Sequence, residues 1–323
     1  MTTVVSMIAE AIKETGGELR AGGTDVSARH RGGTAAGPFV DLRGLPDLRG
    51  IDWRDGSATI GALTTVADLA ADPDLRERYP ALAITAGGLA TPQIRAAGTL
   101  GGNLLQRNRC PYFRNPRFTC FHTGGDSCPA RAGLDLYGTV IGQSPCVVPH
   151  PSSIAMALIG YGATADVHGR GALPVRDLYD GSDQARDHVL EPGEVLTAVR
   201  MPAPLRGERS AYHRAISRFE AEWPLVEAVA RVSMDGPVIT FASVAVGGVA
   251  RTPLHLPEVA ELLVGRNATA KALMAAANAA LDRCVVPTRT EQSETRHTQT
   301  GYKRYLLRDT VLEVLERAVH TGA

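Results

Sequence analysis

Four of the five cysteines, Cys110, Cys120, Cys128 and Cys146, follow directly on the glycine-rich run Thr99-Leu100-Gly101-Gly102-Asn103. Thiolates ligate metal ions and iron-sulfur clusters, and glycine runs let main-chain amides approach a phosphate closely. A thiolate set beside a phosphate-binding segment is the pairing expected of an electron-relay flavoprotein. The cysteines read Cys-x9-Cys-x7-Cys-x17-Cys, without the close Cys-x-x-Cys knuckle that zinc ribbons use. Long separations suit a cluster wrapped by loops, one thiolate to each iron of a 4Fe-4S cube. Arg107, Arg109, Arg114, Arg117 and Arg131 would offset the negative charge of such a group. Structural zinc and unligated buried thiols stay open as alternatives. Cys284 stands apart in an Ala-rich helical context and reads as a packed small apolar residue.

A second glycine segment lies upstream, Ala21-Gly22-Gly23-Thr24-Asp25, after a short strand pattern from Glu18 to Ala21 and before a helical start at Val26 to Arg29. Strand, glycine turn and helix make a unit whose backbone N–H groups and Thr24 hydroxyl suit a pyrophosphate; an ordinary turn has the same composition. The loop from Gly98 to Asn103 could do the same work, with Asn103 able to donate and accept along a polar ligand chain. Two such loops suit one elongated dinucleotide. Neither fits G-x-G-x-x-G, so a Rossmann nicotinamide site has no support and a flavin fold of another type is expected.

The remaining polar candidates carry ordinary readings beside functional ones. His150, in Pro149-His150-Pro151-Ser152-Ser153, is expected as a turn histidine held by local hydrogen bonds, although its place after Cys146 puts a cofactor within reach. His122, between two cysteines, is not assigned as a ligand because the cysteine set is complete without it. Arg214 and Arg218, with Glu220 and Glu222 nearby, read as a solvated charged face.

These residues must be positioned by a chain of 323 residues that is 44% hydrophobic, enough for two or three packed units. Lys plus Arg equals Asp plus Glu at 34 each, so no charge excess points to nucleic acid or an anionic membrane surface, and 5% aromatic content argues against a stacking platform for single strands. Five cysteines are too few for a disulfide scaffold of this length. No apolar run spans a membrane and Met1 to Glu14 lacks the pattern of a secretory signal, so cytoplasmic residence is expected, periplasmic only by export with a partner.

The periodicity predicts a helix over Val4 to Glu14 stopped at Gly16-Gly17, then short strands at Phe39 to Leu42, Leu48 to Trp53 and Ser57 to Ala62. Helices are expected at Thr65 to Ala71 and Pro80 to Gly88. Arg107 to Pro149 has neither helical nor strand periodicity; so long an irregular stretch is normally functional or organised by a ligand. Ile154 to Leu158 reads as helix, and Ala163 to His168, Ala172 to Val175 and Val195 to Met201 as strands. Beyond the Pro202-Ala203-Pro204 break, Leu225 to Met234, Val238 to Val246, a helix from Lys271 to Leu281 and an amphipathic tail from Tyr302 to Val319 suggest a second α/β unit. The composition places the boundary between Gly181 and Glu208.

The succession Arg20-Ala21-Gly22-Gly23-Thr24-Asp25, Pro92-Gln93-Ile94-Arg95, Thr99 to Arg107 and Cys110-Pro111-Tyr112-Phe113-Arg114 resembles the FAD-binding medium subunit of molybdenum hydroxylases, the xanthine dehydrogenase and aldehyde oxidoreductase family. The resemblance runs through nearly the whole chain, to Gly247-Gly248-Val249-Ala250 and Tyr302-Lys303. The cysteine set, with Gly124-Gly125 between its second and third members, resembles the branch that carries an additional 4Fe-4S cluster.

The resemblance implies an α+β protein: a two-part FAD-binding domain of the vanillyl-alcohol-oxidase (PCMH-like) type over residues 1–200, with the 4Fe-4S loop at 107–149, and a smaller α/β domain of the CO dehydrogenase flavoprotein type over 201–323. It implies pyrophosphate contacts from Arg20, Ala21, Gly22, Gly23, Thr24, Asp25, Val26 and Ser27, and flavin or ribityl contacts from Thr99, Gly101, Gly102 and Asn103. Leu196 and Arg214 are added to that set, and Cys110, Cys120, Cys128 and Cys146 become the cluster ligands. The family motif usually reads His-Pro-Ser-Asp with the acidic residue facing the cofactor; here Ser153 takes its place and carries no charge.

The implied reaction oxidises an aldehyde or N-heterocycle at a molybdenum cofactor on a large subunit, passes electrons through 2Fe-2S centres on a small subunit to FAD here, and delivers them to an external acceptor. This chain would be the electron outlet, with no catalytic residue touching the organic substrate. Two other classes stay open: a self-contained FAD-dependent oxidase, which would need its own substrate pocket, and a non-enzymatic binding module stabilised by zinc.

Overall fold

The computed structural model describes residues 2–133, 136–142, 144–285 and 299–320. Helix α1 (Thr2–Thr15) buries Val5, Ala9 and Ile12, spaced for one helical face, and Gly16 follows it at a φ of +62°. Strand β1 (Glu18–Arg20) leads through the first glycine segment into α2 (Val26–Arg31), which returns to β2 (Phe39–Asp41), parallel to β1. Strands β3 (Ile51–Arg54) and β4 (Ser57–Gly61) form a hairpin whose turn residues Asp55 and Gly56 both take positive φ, as a tight two-residue turn requires.

Five short helices follow: α3 (Val66–Ala71), α4 (Pro73–Arg78), α5 (Pro80–Gly87), α6 (Pro92–Ala97) and α7 (Leu100–Leu104). Proline opens α4, α5 and α6, where its missing N–H costs nothing, and Thr65, Asp72, Thr91 and Thr99 cap the starts of α3, α4, α6 and α7 by accepting backbone N–H groups. Helix α8 (Ser153–Gly160) is buried along its whole length. Strands β5 (Thr164–His168), β6 (Gly171–Pro174) and β7 (Val195–Met201) complete an antiparallel sheet in the order β3-β4-β7-β5-β6.

The carboxyl-terminal part is a four-stranded antiparallel sheet, β11-β10-β9-β8, built from β8 (Arg209–Ala215), β9 (Val226–Asp235), β10 (Val238–Gly247) and β11 (Leu254–His255). Helices α9 (Pro257–Glu261), α10 (Ala270–Asp282) and α11 (Gln299–His320) accompany it. Because strand side chains alternate between faces, β9 divides its residues between two cores. Val229 joins the core of α5, α8 and the five-stranded sheet, whereas Ala228, Ala230 and Val232 pack with Val311, Val314 and Leu315 of α11. No described helix is long and apolar enough to cross a membrane.

Several expectations need correction. The second glycine segment is not a loop: Leu100 to Leu104 is helical, with Thr99 Oγ1 accepting from Gly102 N at 3.2 Å. The strand expected from Leu48 begins at Ile51, after a turn of 3-10 helix at Pro46–Leu48. Helix α4 and strand β8 were not anticipated; β8 hides because its SAYHRA stretch mixes polar and apolar residues on both faces. Arg107 to Pro149 is irregular, as its composition predicts, apart from single 3-10 turns at Phe121–Thr123 and Pro129–Ala132.

Candidate functional site

The two glycine segments meet in space. Gly22 lies against the main chain of Ala97 and Gly98, so close that a Cβ there would stand 1.8 Å from the Ala97 carbonyl oxygen. Gly101 packs similarly on Ala62, where a Cβ would meet the Ala62 carbonyl oxygen at 3.1 Å. Between them runs a groove walled by Arg20 to Val26 on one side and Thr99, Gly101 and Gly102 on the other, with Val195 and Leu196 at its edge. It shares Thr24, Asp25, Thr99, Gly102 and Gln106 with a neighbouring pocket that adds Leu89, Ala90, Asn103, Arg109 and Trp223. Ala90 holds a positive φ of 43°, an uncommon state for a residue with a Cβ and one that clusters at ligand sites; nothing in its sequence context signals it.

The groove fits an anionic dinucleotide on an observation independent of the glycines. Arg20 Nε is buried without a hydrogen-bond partner, and its side chain lies over Gly23, whose φ is +74°. A buried orphan donor beside a glycine turn is a polar group awaiting an acceptor, and phosphate oxygens supply one. Ser27 Oγ also lies near Gly23.

Asp25 is placed differently from its neighbours. Its carboxylate is gripped by three guanidinium groups: Arg114 at 2.6 Å, Arg109 at 2.9 Å and Arg29 at 3.0 Å. It also accepts the Arg107 N–H at 3.3 Å. Burial alone would raise its pKa, but Arg109, Arg114 and Arg29 hold it below the ordinary carboxylate value. A carboxylate so occupied ties the first glycine segment to the start of the cysteine segment, a clamp that sequence spacing does not reveal. Arg107 and Asn108 have a second anchor in buried Asp187, which accepts from Arg107 Nε at 2.7 Å and from Asn108 N at 3.2 Å. Burial opposes ionisation of Asp187, but Arg107 and His122 outweigh it and bring its pKa down to about 2.

The four clustered thiols are free, with Cys110 near Cys120 and Cys128, and Cys128 beside Cys146. Burial raises the Cys110 pKa, and the nearby Cys128 and Cys120 add to that. Cys128 and Cys146 share a hydrogen bond, which pulls Cys128 down and pushes Cys146 up, so one thiolate of the pair is favoured. Among the described residues no three His, Cys, Asp or Glu side chains converge as a single ion would need. His122 Nε2 stands 3.7 Å from Cys146 Sγ. Cys284, by contrast, is buried just beyond the end of α10 with its thiol toward Ala280 O at 3.8 Å, while its main chain bridges to Ile141 of the cysteine segment.

Ser153 is fully buried in the first turn of α8, beside Tyr212 and Glu227. Tyr212 donates to Glu227 Oε2 at 2.9 Å, and burial lifts the Glu227 carboxyl to about 7. A carboxyl group therefore does stand next to Ser153, supplied by β9. His150 is a buried turn histidine whose Nδ1 accepts the Ser152 N–H at 3.3 Å; burial lowers its pKa to about 3, so the ring is neutral. Arg214 is not part of a solvated face: it pairs across the sheet with Glu227 and donates to the Gly88 carbonyl. Arg218 stays in the β8–β9 connection, its N–H on Glu222 Oε2 at 3.2 Å.

Two joined glycine segments under an orphan arginine form a groove suited to an anionic dinucleotide, and the chain belongs to the family of FAD-binding subunits of molybdopterin dehydrogenases. Residues 3–204 match the FAD binding domain in molybdopterin dehydrogenase, and residues 211–318 match the CO dehydrogenase flavoprotein C-terminal domain. The chain is 34% identical to the aldehyde oxidoreductase FAD-binding subunit PaoB of Escherichia coli over 74% of its own length and 77% of that protein's. It is 25% identical to the carbon monoxide dehydrogenase medium chain of Hydrogenophaga pseudoflava, over 87% of this chain and 81% of that one. The structure of carbon monoxide dehydrogenase from Hydrogenophaga pseudoflava shares the fold, with a TM-score of 0.75 at 23% identity over 97% of this chain and 94% of that one. These relatives are oxidoreductase subunits, and the mixed two-domain architecture expected from the resemblance is the one found.

Proposed function

We propose that this chain is the electron-transfer subunit of a molybdenum-dependent hydroxylase or dehydrogenase, carrying FAD and a 4Fe-4S cluster and delivering electrons from a partner subunit to an external acceptor. The observation that carries the reading is the Asp25 clamp, which fastens the dinucleotide groove to the four-cysteine segment. Two mostly buried arginines of the cysteine segment, Arg109 and Arg114, hold the first glycine segment through this one carboxylate, a tie that a chain built for a flavin alone would not need. FAD would lie along Arg20 to Ser27 and Thr99 to Asn103, with Leu196 lining the groove; Ser153 and Arg214, which do not line it, stay in the proposed set only as flavin contacts. Cys110, Cys120, Cys128 and Cys146 would hold the cluster. Residues 1–200 would form the FAD-binding domain, with the cluster loop at 107–149, and 201–323 the smaller domain.

FAD when bound collects electrons singly or in pairs and releases them either way. The protein's part is to position it and set its surroundings. Gly22, Gly23 and Gly102 admit the main chain to the ligand, Arg20 neutralises phosphate, and apolar Leu89, Ala90 and Leu196 exclude water. A large molybdenum-cofactor subunit and a small 2Fe-2S subunit are the partners this role requires, and an aldehyde or N-heterocycle is the substrate class. The likeness to an aldehyde oxidoreductase subunit supports the former.

Anaerobically purified protein tests the reading through its visible spectrum with iron, zinc and released-flavin stoichiometry. One FAD with about four irons per chain is expected. Flavin without iron removes the cluster; zinc without flavin overturns the whole assignment.

A further inference from the structure

A cavity of about 600 Å³ lies between the cysteine segment, the β8–β9 connection and α11, outside the dinucleotide groove. That volume is typical of sites for small organic ligands. Arg109 and Trp223 line both this cavity and the neighbouring flavin-side pocket, and their stack, with the guanidinium carbon 4.8 Å from the ring centre, forms the partition. Cys110 also lines this cavity.

The lining is apolar and aromatic, with Tyr112, Tyr137 and Trp223 offering flat surfaces, yet it holds three buried polar groups. Lys303, 1% exposed, donates one of its three N–H bonds to Gly138 O at 2.7 Å. His150 is 4% exposed, and because its Nδ1 accepts from Ser152, its Nε2 must carry the proton; that N–H has no partner. Glu227, 2% exposed, presents the third. Buried donors that lack acceptors are costly, and a ligand carrying carbonyl oxygens on a flat apolar body removes the cost.

We infer that this cavity is the binding site of the external electron acceptor, and that the acceptor is a planar dicarbonyl of the quinone class. Its rings lie among Tyr112, Tyr137 and Trp223, and its carbonyl oxygens take hydrogen bonds from Lys303 and His150. The inference rests on the electron-transfer reading above, which supplies the reductant from the flavin or cluster side. Two electrons and two protons turn the two C=O groups into two O–H groups. Glu227 and Lys303 are the proton-bearing groups on the wall; burial brings the first up and the second down to about 7, so each exchanges a proton with water near neutrality.

Calorimetric titration of the FAD-loaded protein with 1,4-naphthoquinone, and with naphthalene as the same ring system without carbonyls, tests the site. Saturable quinone binding is expected, with naphthalene weaker by about tenfold, and Lys303→Met should lower quinone affinity by about tenfold while leaving naphthalene unchanged. Tyr137→Ala, at an exposed position on the rim, provides a second variant that does not disturb the core; it should weaken both ligands. Equal affinity for quinone and naphthalene, or quinone binding unchanged in both variants, overturns the proposal. Flavin content of the same sample separates the failures. FAD without quinone binding removes the acceptor site and leaves the flavoprotein reading, whereas quinone binding without FAD or iron removes the electron source and with it the acceptor role.

Discussion

Gly22 sits against the carbonyl oxygen of Ala97, with room for no side-chain atom between them. This single approach joins two motifs distant in the sequence into one groove, because backbone-on-backbone contact at that distance is open only to glycine. Gly22→Ala should force the segments apart. Overpacking of this kind costs about 1–3 kcal/mol, and here it also widens the groove. The expected outcome is a lowered unfolding midpoint with loss of copurifying FAD. Normal flavin content in a stably folded Gly22→Ala variant would remove the argument.

Asp25 gives a second, independent test of the joined architecture. With the carboxylate gone, Arg29, Arg109 and Arg114 face one another without a counter-charge, and breaking a buried ion cluster on one side costs about 3–5 kcal/mol. Asp25→Asn is expected to lower the denaturant midpoint and to release flavin and iron together, since the clamp touches both segments. Loss of one cofactor with full retention of the other would show that Asp25 does not couple them.

Much of this was legible in the sequence, and the omissions share a physical cause. Helix α1, the β3–β4 hairpin, β7, β9, β10 and α11 announce themselves through local periodicity and turn residues, as do the glycine and cysteine segments. The Asp25–Arg114, Asp187–Arg107 and Ser153–Glu227 meetings join residues 74 or more positions apart, and no local pattern encodes them. Strand β8 was missed for a related reason. Its two faces touch different cores, Ala211 one and Tyr212 the other, so it lacks the alternation that marks a half-buried strand.

Asp187 predicts the response to acid. Its pKa in the folded protein is depressed to about 2, so its contribution is present above the ordinary aspartate value of 3.8 and disappears as pH falls through about 2. Acid should therefore loosen Arg107 and Asn108, and with them the cysteine segment, before the sheets unfold. Asp187→Asn should show that loosening already at neutral pH, read as faster amide hydrogen exchange at Arg107 and Asn108, with little further change down to pH 4. Wild-type exchange there that shows no acid-induced loosening down to pH 2 would contradict this role.

Glu227 predicts the opposite slope. Burial raises its pKa in the folded protein from the ordinary glutamate value of 4.5 to about 7, so the folded state binds the extra proton, and stability is lost as pH rises from about 4.5 through 7. That displacement corresponds to about 3 kcal/mol. Glu227→Gln keeps the shape and the bond to Tyr212 but cannot ionise, so its unfolding midpoint should hold between pH 5 and 8 where the wild type falls. The neighbouring strand sharpens the test. A Cβ on Gly247 would stand 2.6 Å from Glu227 Oε1, so Gly247→Ala should destabilise the wild type by displacing the carboxyl group, and should be nearly neutral once Glu227 is shortened to Ala. If Gly247→Ala is as costly in Glu227→Ala as in the wild type, the two positions are not coupled and the buried carboxyl is not held where the β9–β10 pairing puts it.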